Sequence, residues 1–190
     1  MSVAAKKLTW DDIKDWPESA GRTEIVDGEL VMSPTPGAEH QDIAGLLGSE
    51  LLQFVRARGL GRFFPNPIHV ILDEHVHYEP DLCFIRAARK SIVRKTHVAG
   101  PPDLVIEVIS ESNRTHDTVV KFRDYAKYGV AEYWLVDPRD ETISTWALEA
   151  GSYVLLARSG HGDAVTSQVL PGLHLDPGPL FDYARADNSD

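Results

Sequence analysis

PPDLVIEVISESNRTHDTVVKFRDYAKYGVAEYWLVDP, residues 101–138, holds the reading that decides the fold. Residues 104–109 are a near-continuous apolar run bounded by Pro101-Pro102 and by Ser110-Glu111-Ser112-Asn113, which suits a central strand covered on both faces. Thr115 then reads as the N-cap of a helix ending at Tyr128, with Gly129 as its left-handed C′ residue and Val130 as the hydrophobic follow-on. Residues 132–136 form a further strand, closed by Asp137-Pro138. Alternation places Asp103, Val105, Glu107 and Ile109 on one face of the first strand. A buried carboxylate is costly without a partner, so Glu107 calls for a metal ion, a cation or a proton.

Upstream, Asp81 follows Pro80 and alternates with Cys83 and Ile85 in a second apolar strand. Two carboxylates on neighbouring strands make a partial shell for Mg²⁺ (or Mn²⁺), since Mg²⁺ keeps several waters and takes one or two protein carboxylates. Lys121 is the candidate cation, able to position a water or stabilise charge on a phosphoryl group. Asp117 and Lys121 also stand at i and i+4 in the favoured order for a surface ion pair worth about 0.2–0.5 kcal/mol. Tyr125 and Tyr128 share a stripe with Lys121 that would face the sheet. Both placements of Lys121 stay open at this point.

The remaining pattern is helix, strands, long helix, strands. Thr9 and Asp12 open a short helix that stops before Pro17. Residues 22–33 read as a hairpin around a type I′ Asp27-Gly28 turn. Ile43, Leu46, Leu47, Leu51, Phe54 and Val55 recur at helical spacing up to Gly59. Residues 63–64 and 67–72 form one strand arm and 79–85 the return, with a loop at 73–77. Three short strands follow at 142–148, 153–157 and 165–170. The expected organisation is one domain over 1–184, with a helical lead-in at 1–20 and a disordered tail at 185–190.

Composition agrees with one globular core: 190 residues, 43% hydrophobic and 25% charged. The lone Cys83 excludes a disulfide framework and a cysteine-rich zinc site. The amino-terminal residues lack a 7–15-residue apolar stretch, and no run approaches 18 apolar residues, so a cytoplasmic protein with no membrane partner is expected. A net charge of −10 argues against broad nucleic-acid affinity, yet Arg86, Arg89, Lys90, Arg94 and Lys95 cluster in an acid-free run. That run is either a solvated loop or a set of DNA contacts. His75-x-His77 reads as a solvated turn, because only Asp73 or Glu79 would complete a metal site. Ser110 lacks nucleophile-elbow glycines, and no phosphate-binding glycine loop is present, which excludes a serine hydrolase and nucleotide-cofactor chemistry.

The 101–138 string resembles the Uma group of restriction endonucleases within the PD-(D/E)XK nuclease superfamily: an apolar strand ending Glu107-Val108-Ile109-Ser110, then Asp117, Lys121, Tyr125, Gly129-Val130 and Glu132-Tyr133-Trp134. Upstream and downstream pieces agree, namely 24–30 (EIVDGEL), His40, Pro80-Asp81 and Leu170-Pro171-Gly172-Leu173, so the likeness spans roughly residues 8–182. The resemblance implies an α/β, restriction-endonuclease-like core of αβββαβ type with a mixed sheet flanked by helices and extra carboxy-terminal strands. It implies Asp81 and Glu107 as metal ligands, Glu24 as a supporting acid, and His40 and Asp117 as neighbours of that first set. The superfamily lysine, two residues after the second acid, is here Ile109, so its charge must come from Lys121. The function implied is a divalent-metal-dependent endonuclease acting on DNA, for which a homodimer would suit double-strand cleavage. The other reading is a silent nuclease-fold protein that binds nucleic acid or a partner protein.

Overall fold

The computed structural model describes residues 6–16 and 21–186. In chain order its elements are α1 (Trp10–Ile13), β1 (Gly21–Val26), β2 (Glu29–Pro34), α2 (Ala38–Arg58), β3 (Gly61–Phe64), β4 (His69–Asp73), β5 (Val76–Tyr78), β6 (Leu82–Arg86), β7 (His97–Ala99), β8 (Leu104–Val108), α3 (Phe122–Tyr128), β9 (Glu132–Asp137), β10 (Thr142–Glu149), β11 (Ser152–Ser159) and α4 (Gly178–Ala186). A six-stranded sheet runs in the order β11-β10-β9-β8-β6-β3, and a five-stranded sheet in the order β2-β1-β5-β4-β7.

The expected αβββαβ core is α2, β3, β6, β8, α3 and β9. Strands β3, β6 and β8 pair antiparallel in succession, and β9 lies parallel to β8 after the α3 crossover. Alternation along β8 divides the interior in two. Leu104, Ile106 and Val108 join Leu47, Leu51 and Phe181 on the side of α2 and α4, while Val105 and Ile109 join Cys83, Tyr125 and Tyr133 on the side of α3. Glu107 points the same way as Val105, into that second layer. Helix α2 forms because Ile43, Leu47, Leu51 and Val55 repeat every fourth residue, and all four are fully buried. It ends at Gly59, whose φ of 62° is left-handed. At Gly61 a Cβ would stand 2.1 Å from the Ile85 carbonyl oxygen, so the β3–β6 contact requires glycine.

The Asp27-Gly28 turn has φ of 51° and 84°, as type I′ demands. Other expectations need correction. The arm read as one unit across 63–72 is divided: β3 pairs with β6 in the main sheet, whereas β4 pairs with β5 and β7 in the second. Thr115 does not cap a helix. It already has helical dihedrals, because a turn at Glu111–Asn113 starts the winding earlier, and a π-helical turn, His116–Lys121, then leads into α3. Residues 165–170 are not a strand. The buried Glu132 carboxylate accepts from Gln168 N at 2.8 Å and Val169 N at 3.0 Å, taking the donors that a ladder would use. Residues 185–186, expected in a mobile tail, belong to α4, whose Leu180, Phe181 and Ala184 are buried against the core. The rest of that tail, 187–190, and parts of the helical lead-in, 1–5 and 17–20, lie outside the described residues. Cys83 is buried, and burial pushes its thiol far above the ordinary range. Among the described residues, no helix is long and apolar enough to cross a membrane.

Candidate active site

Asp81 immediately precedes β6 and Glu107 is the fourth residue of the neighbouring β8, so strand pairing brings the two acids together. The Asp81 amide donates to Glu107 Oε2 at 3.4 Å, and the Val108 amide donates to Asp81 Oδ2 at 2.7 Å. Lys121 settles its two open placements in favour of the sheet. Its side chain is only 3% exposed, and Nζ lies 3.0 Å from Glu107 Oε1, 3.1 Å from Glu24 Oε1 and 3.3 Å from Asp117 Oδ1. The i,i+4 pair with Asp117 therefore exists, but inside the protein. A π-helical turn widens the helix where Lys121 turns inward, a feature frequent at functional sites.

His40, in the first turn of α2, places Nε2 3.2 Å from Asp81 Oδ2. Three side chains outside the expected set also reach the cluster. Arg22 pairs with Asp81 Oδ1 and sets its other terminal nitrogen 3.8 Å from Glu107 Oε2. His116 Nε2 lies 2.8 Å from Glu24 Oε2, and Tyr125 donates its hydroxyl to Glu107 Oε1 at 3.1 Å. Arg22 was legible in principle, since it shares a strand face with Glu24 two residues on. Tyr125 stands one turn after Lys121 on the same stripe. His116 had no signal, because it faces Glu24 only through the π-helical turn.

The electrostatics are those of an excess of acid in a buried place. Burial alone would raise Glu24, but Lys121 and His116 outweigh it and hold the carboxyl down at about 2. Burial likewise works against Asp81, which His40, Arg22 and the Val108 amide keep well below the usual range. Glu107 goes the other way: burial, with Asp81 and Asp117 beside it, pushes it up to about 8 against the field of Lys121 and Arg22. Asp117 is raised by burial and by Asp81 and Glu24 beside it, against the field of Lys121. Glu107 and its acids lift Lys121 well above its ordinary value despite burial, so it is a fixed cation.

With all four acids ionised (Glu24, Asp81, Glu107, Asp117), two fixed cations (Arg22, Lys121) leave two negative charges when both imidazoles are neutral. Without a further cation, that excess is relieved by the raised proton affinity of Glu107. Arg22 already straddles Asp81 and Glu107, which shows that both carboxylates address one point and that the point takes positive charge. The donor set is all oxygen. These features fit a hard divalent cation. A small cleft, about 80 Å³, opens on Glu107, Lys121, Asp117 and His40 between the loop at 34–37 and the turn at 110–113.

The basic run lies elsewhere. Arg86 ends β6, five residues beyond Asp81 and thus about 17 Å along the strand. Arg89 Nη1 lies 3.1 Å from Asp103 Oδ1, and Arg86 Nη1 lies 3.8 Å from the same oxygen. Lys90 and Arg94 border a separate groove with Arg56 and Arg62. The His75-x-His77 pair is also divided: His75 Nδ1 meets the Leu8 carbonyl at 2.9 Å, whereas His77 is buried rather than solvated.

A mixed sheet of this connectivity, with acids at the start of one central strand and inside the next, defines a restriction-endonuclease-like fold. The chain belongs to the Uma2 family, described as "Putative restriction endonuclease", whose profile matches residues 10–178. Its fold is similar to the crystal structure of a protein from Anabaena variabilis described as a "putative nuclease belonging to DUF820", with TM-score 0.76 and 21% identity over 93% of this chain and 99% of that one. No curated protein matches the chain.

Proposed function

We propose that the protein is a divalent-metal-dependent endonuclease that hydrolyses phosphodiester bonds in DNA. One observation carries the reading: Lys121 Nζ, supplied from a helix, sits buried within 3.3 Å of three carboxylates, a positive charge that Ile109 does not supply from the strand. Asp81 and Glu107 would hold Mg²⁺ or Mn²⁺, and the movement of Arg22 off Asp81 would accompany binding. The ion supplies Lewis-acid stabilisation of the phosphate and acidifies a water nucleophile. Lys121 holds Glu107 in place and presents fixed positive charge to the water or to a phosphoryl oxygen. Glu24 and Asp117 anchor Lys121, and His116 locks Glu24. His40 orients Asp81 and lines the cleft, where it can exchange a proton with the site. A homodimer would set two such sites on opposite strands.

A silent nuclease-fold module is the second reading, favoured by Ile109 at the superfamily lysine position and by the Arg22 pairing across both acids. The deciding experiment is plasmid cleavage with Mg²⁺ or Mn²⁺ beside Asp81→Ala, Glu107→Ala and Lys121→Ala. Metal-dependent nicking lost in all three supports the enzyme. Binding of DNA by folded protein with no cleavage under either metal supports the module.

A further inference from the structure

The second sheet carries a group of metal-binding side chains that the nuclease reading does not use. Antiparallel alternation across β4 and β5 puts His69, His77 and Glu79 on one face, while Tyr78 turns to the other and donates to Asp124 at 2.6 Å. One ligand atom from each of the three lies within 4.8 Å of the others. His69 Nδ1 is 3.0 Å from His77 Nε2 and 3.4 Å from Glu79 Oε1. Bonds of about 2.0–2.1 Å to Zn²⁺ in a tetrahedron give ligand edges of about 3.3–3.4 Å, so the two edges at His69 are already near coordination spacing and the third needs only a small closure.

The two imidazoles face each other at hydrogen-bond distance, and His77 is buried, so its ring is held with Nε2 towards His69. Glu79 Oε1 is held by the Thr23 amide at 3.2 Å, the kind of support that fixes a ligating carboxylate. The Trp10 ring covers the group, with centroids 4.5 Å from His69 and 4.9 Å from His77, and so limits exchange with bulk water. Two imidazoles and one carboxylate under an aromatic cover suit a borderline cation rather than Mg²⁺.

We propose that His69, His77 and Glu79 bind one Zn²⁺-class transition-metal ion, at a site separate from the Asp81–Glu107 cluster. The ion would bridge β4 to the strand-end residue Glu79, beneath α1. The inference does not depend on the nuclease reading, because its ligands and its cation class are different.

Titration of the full chain with Co²⁺, followed by visible absorption, tests it. One equivalent should produce an intense ligand-field band that Zn²⁺ displaces and excess Mg²⁺ does not. The band should persist in Glu107→Gln and vanish in His69→Ala. His69 is partly exposed, and far-UV circular dichroism checks that the variant folds. Glu79→Gln keeps the side-chain volume and serves as a second probe, with affinity lowered by about 100-fold or more, beyond the loss usual for supporting partners. A titration without a band in the wild type, or a band unchanged in both folded variants, would mean a hydrogen-bonded histidine pair only and overturn the proposal.

Discussion

Lys121 Nζ lies 3.0 Å from Glu107 Oε1 across fourteen positions of sequence, joining the helix after β8 to the strand itself. Removing one partner of a buried ion pair leaves the other uncompensated and costs about 3–5 kcal/mol. Lys121 has three carboxylate partners, so Lys121→Ala should reach that range, measured as a lower urea midpoint at pH 7. The double variant with Glu107→Gln should lose less than the sum of the single losses, by about 0.5–3 kcal/mol, because the two share one interaction. Strict additivity would disprove the coupling. Under the proposed function, Lys121→Ala should also slow plasmid cleavage by about 10²–10³.

Glu107 and Glu24 give the stability profile opposite slopes in two pH windows. With its folded pKa raised to about 8, Glu107 binds a proton in the folded state where the unfolded chain does not, so metal-free protein should lose stability as pH rises from about 4.5 to 8. Bound Mg²⁺ would keep the carboxylate ionised and flatten this fall. Glu24, held at about 2, contributes stability that is complete above its ordinary value of 4.5 and is lost as pH falls towards 2. Urea unfolding across pH 2–9, with EDTA or Mg²⁺, should show both limbs. Glu107→Gln should flatten most of the upper limb, and Glu24→Gln should reduce the lower one, to which the depressed Asp81 also contributes.

Much of this site could be read from the chain because strand alternation and helical spacing are local rules. Asp81, Glu107 and Lys121 lie on segments with strong apolar periodicity, and their faces follow from period alone. His116 was not legible for the opposite reason, and for Arg22 only the shared face with Glu24 was, not its reach to Asp81. Each joins the cluster through a tertiary approach, β1 across the start of β6 and the π-helical turn against Glu24, which no window of sequence contains. The division of 63–72 between two sheets is of the same kind. A strand's pattern shows that it pairs, not with which partner. The basic run shows the converse: its charge was evident, but its distance from Asp81 depended on where β6 ends.

Residues 165–170 read as a strand because Val165, Val169 and Leu170 are apolar, and all three are indeed buried. What shapes the segment is Glu132, which also accepts from Trp134 Nε1 at 2.6 Å. Glu132→Ala would strand the Trp134, Gln168 and Val169 donors, each costing about 1–3 kcal/mol if left buried and unsatisfied. The variant should be destabilised by several kcal/mol, read as a large fall in urea midpoint, with exchange protection lost first at the 168 and 169 amides. Unchanged protection there would show that the carboxylate does not hold the segment.

Lys90 and Arg94, beside the groove shared with Arg56 and Arg62, separate docking from chemistry. If DNA engages the Asp81–Glu107 cleft and extends about 17 Å along β6, its backbone reaches this groove. Each phosphate contact made by a lysine or arginine releases counterions and adds about 0.9 to the slope of log K against log salt on duplex DNA. Lys90→Ala with Arg94→Ala should therefore reduce that slope by about 1.8 and weaken binding equally for unrelated sequences. Turnover of bound plasmid should stay as in the wild type, because neither side chain approaches the acids. A binding isotherm over 50–200 mM salt, paired with single-turnover cleavage, checks both. An unchanged salt slope would assign the run to a solvated loop and leave DNA contact to the cleft alone.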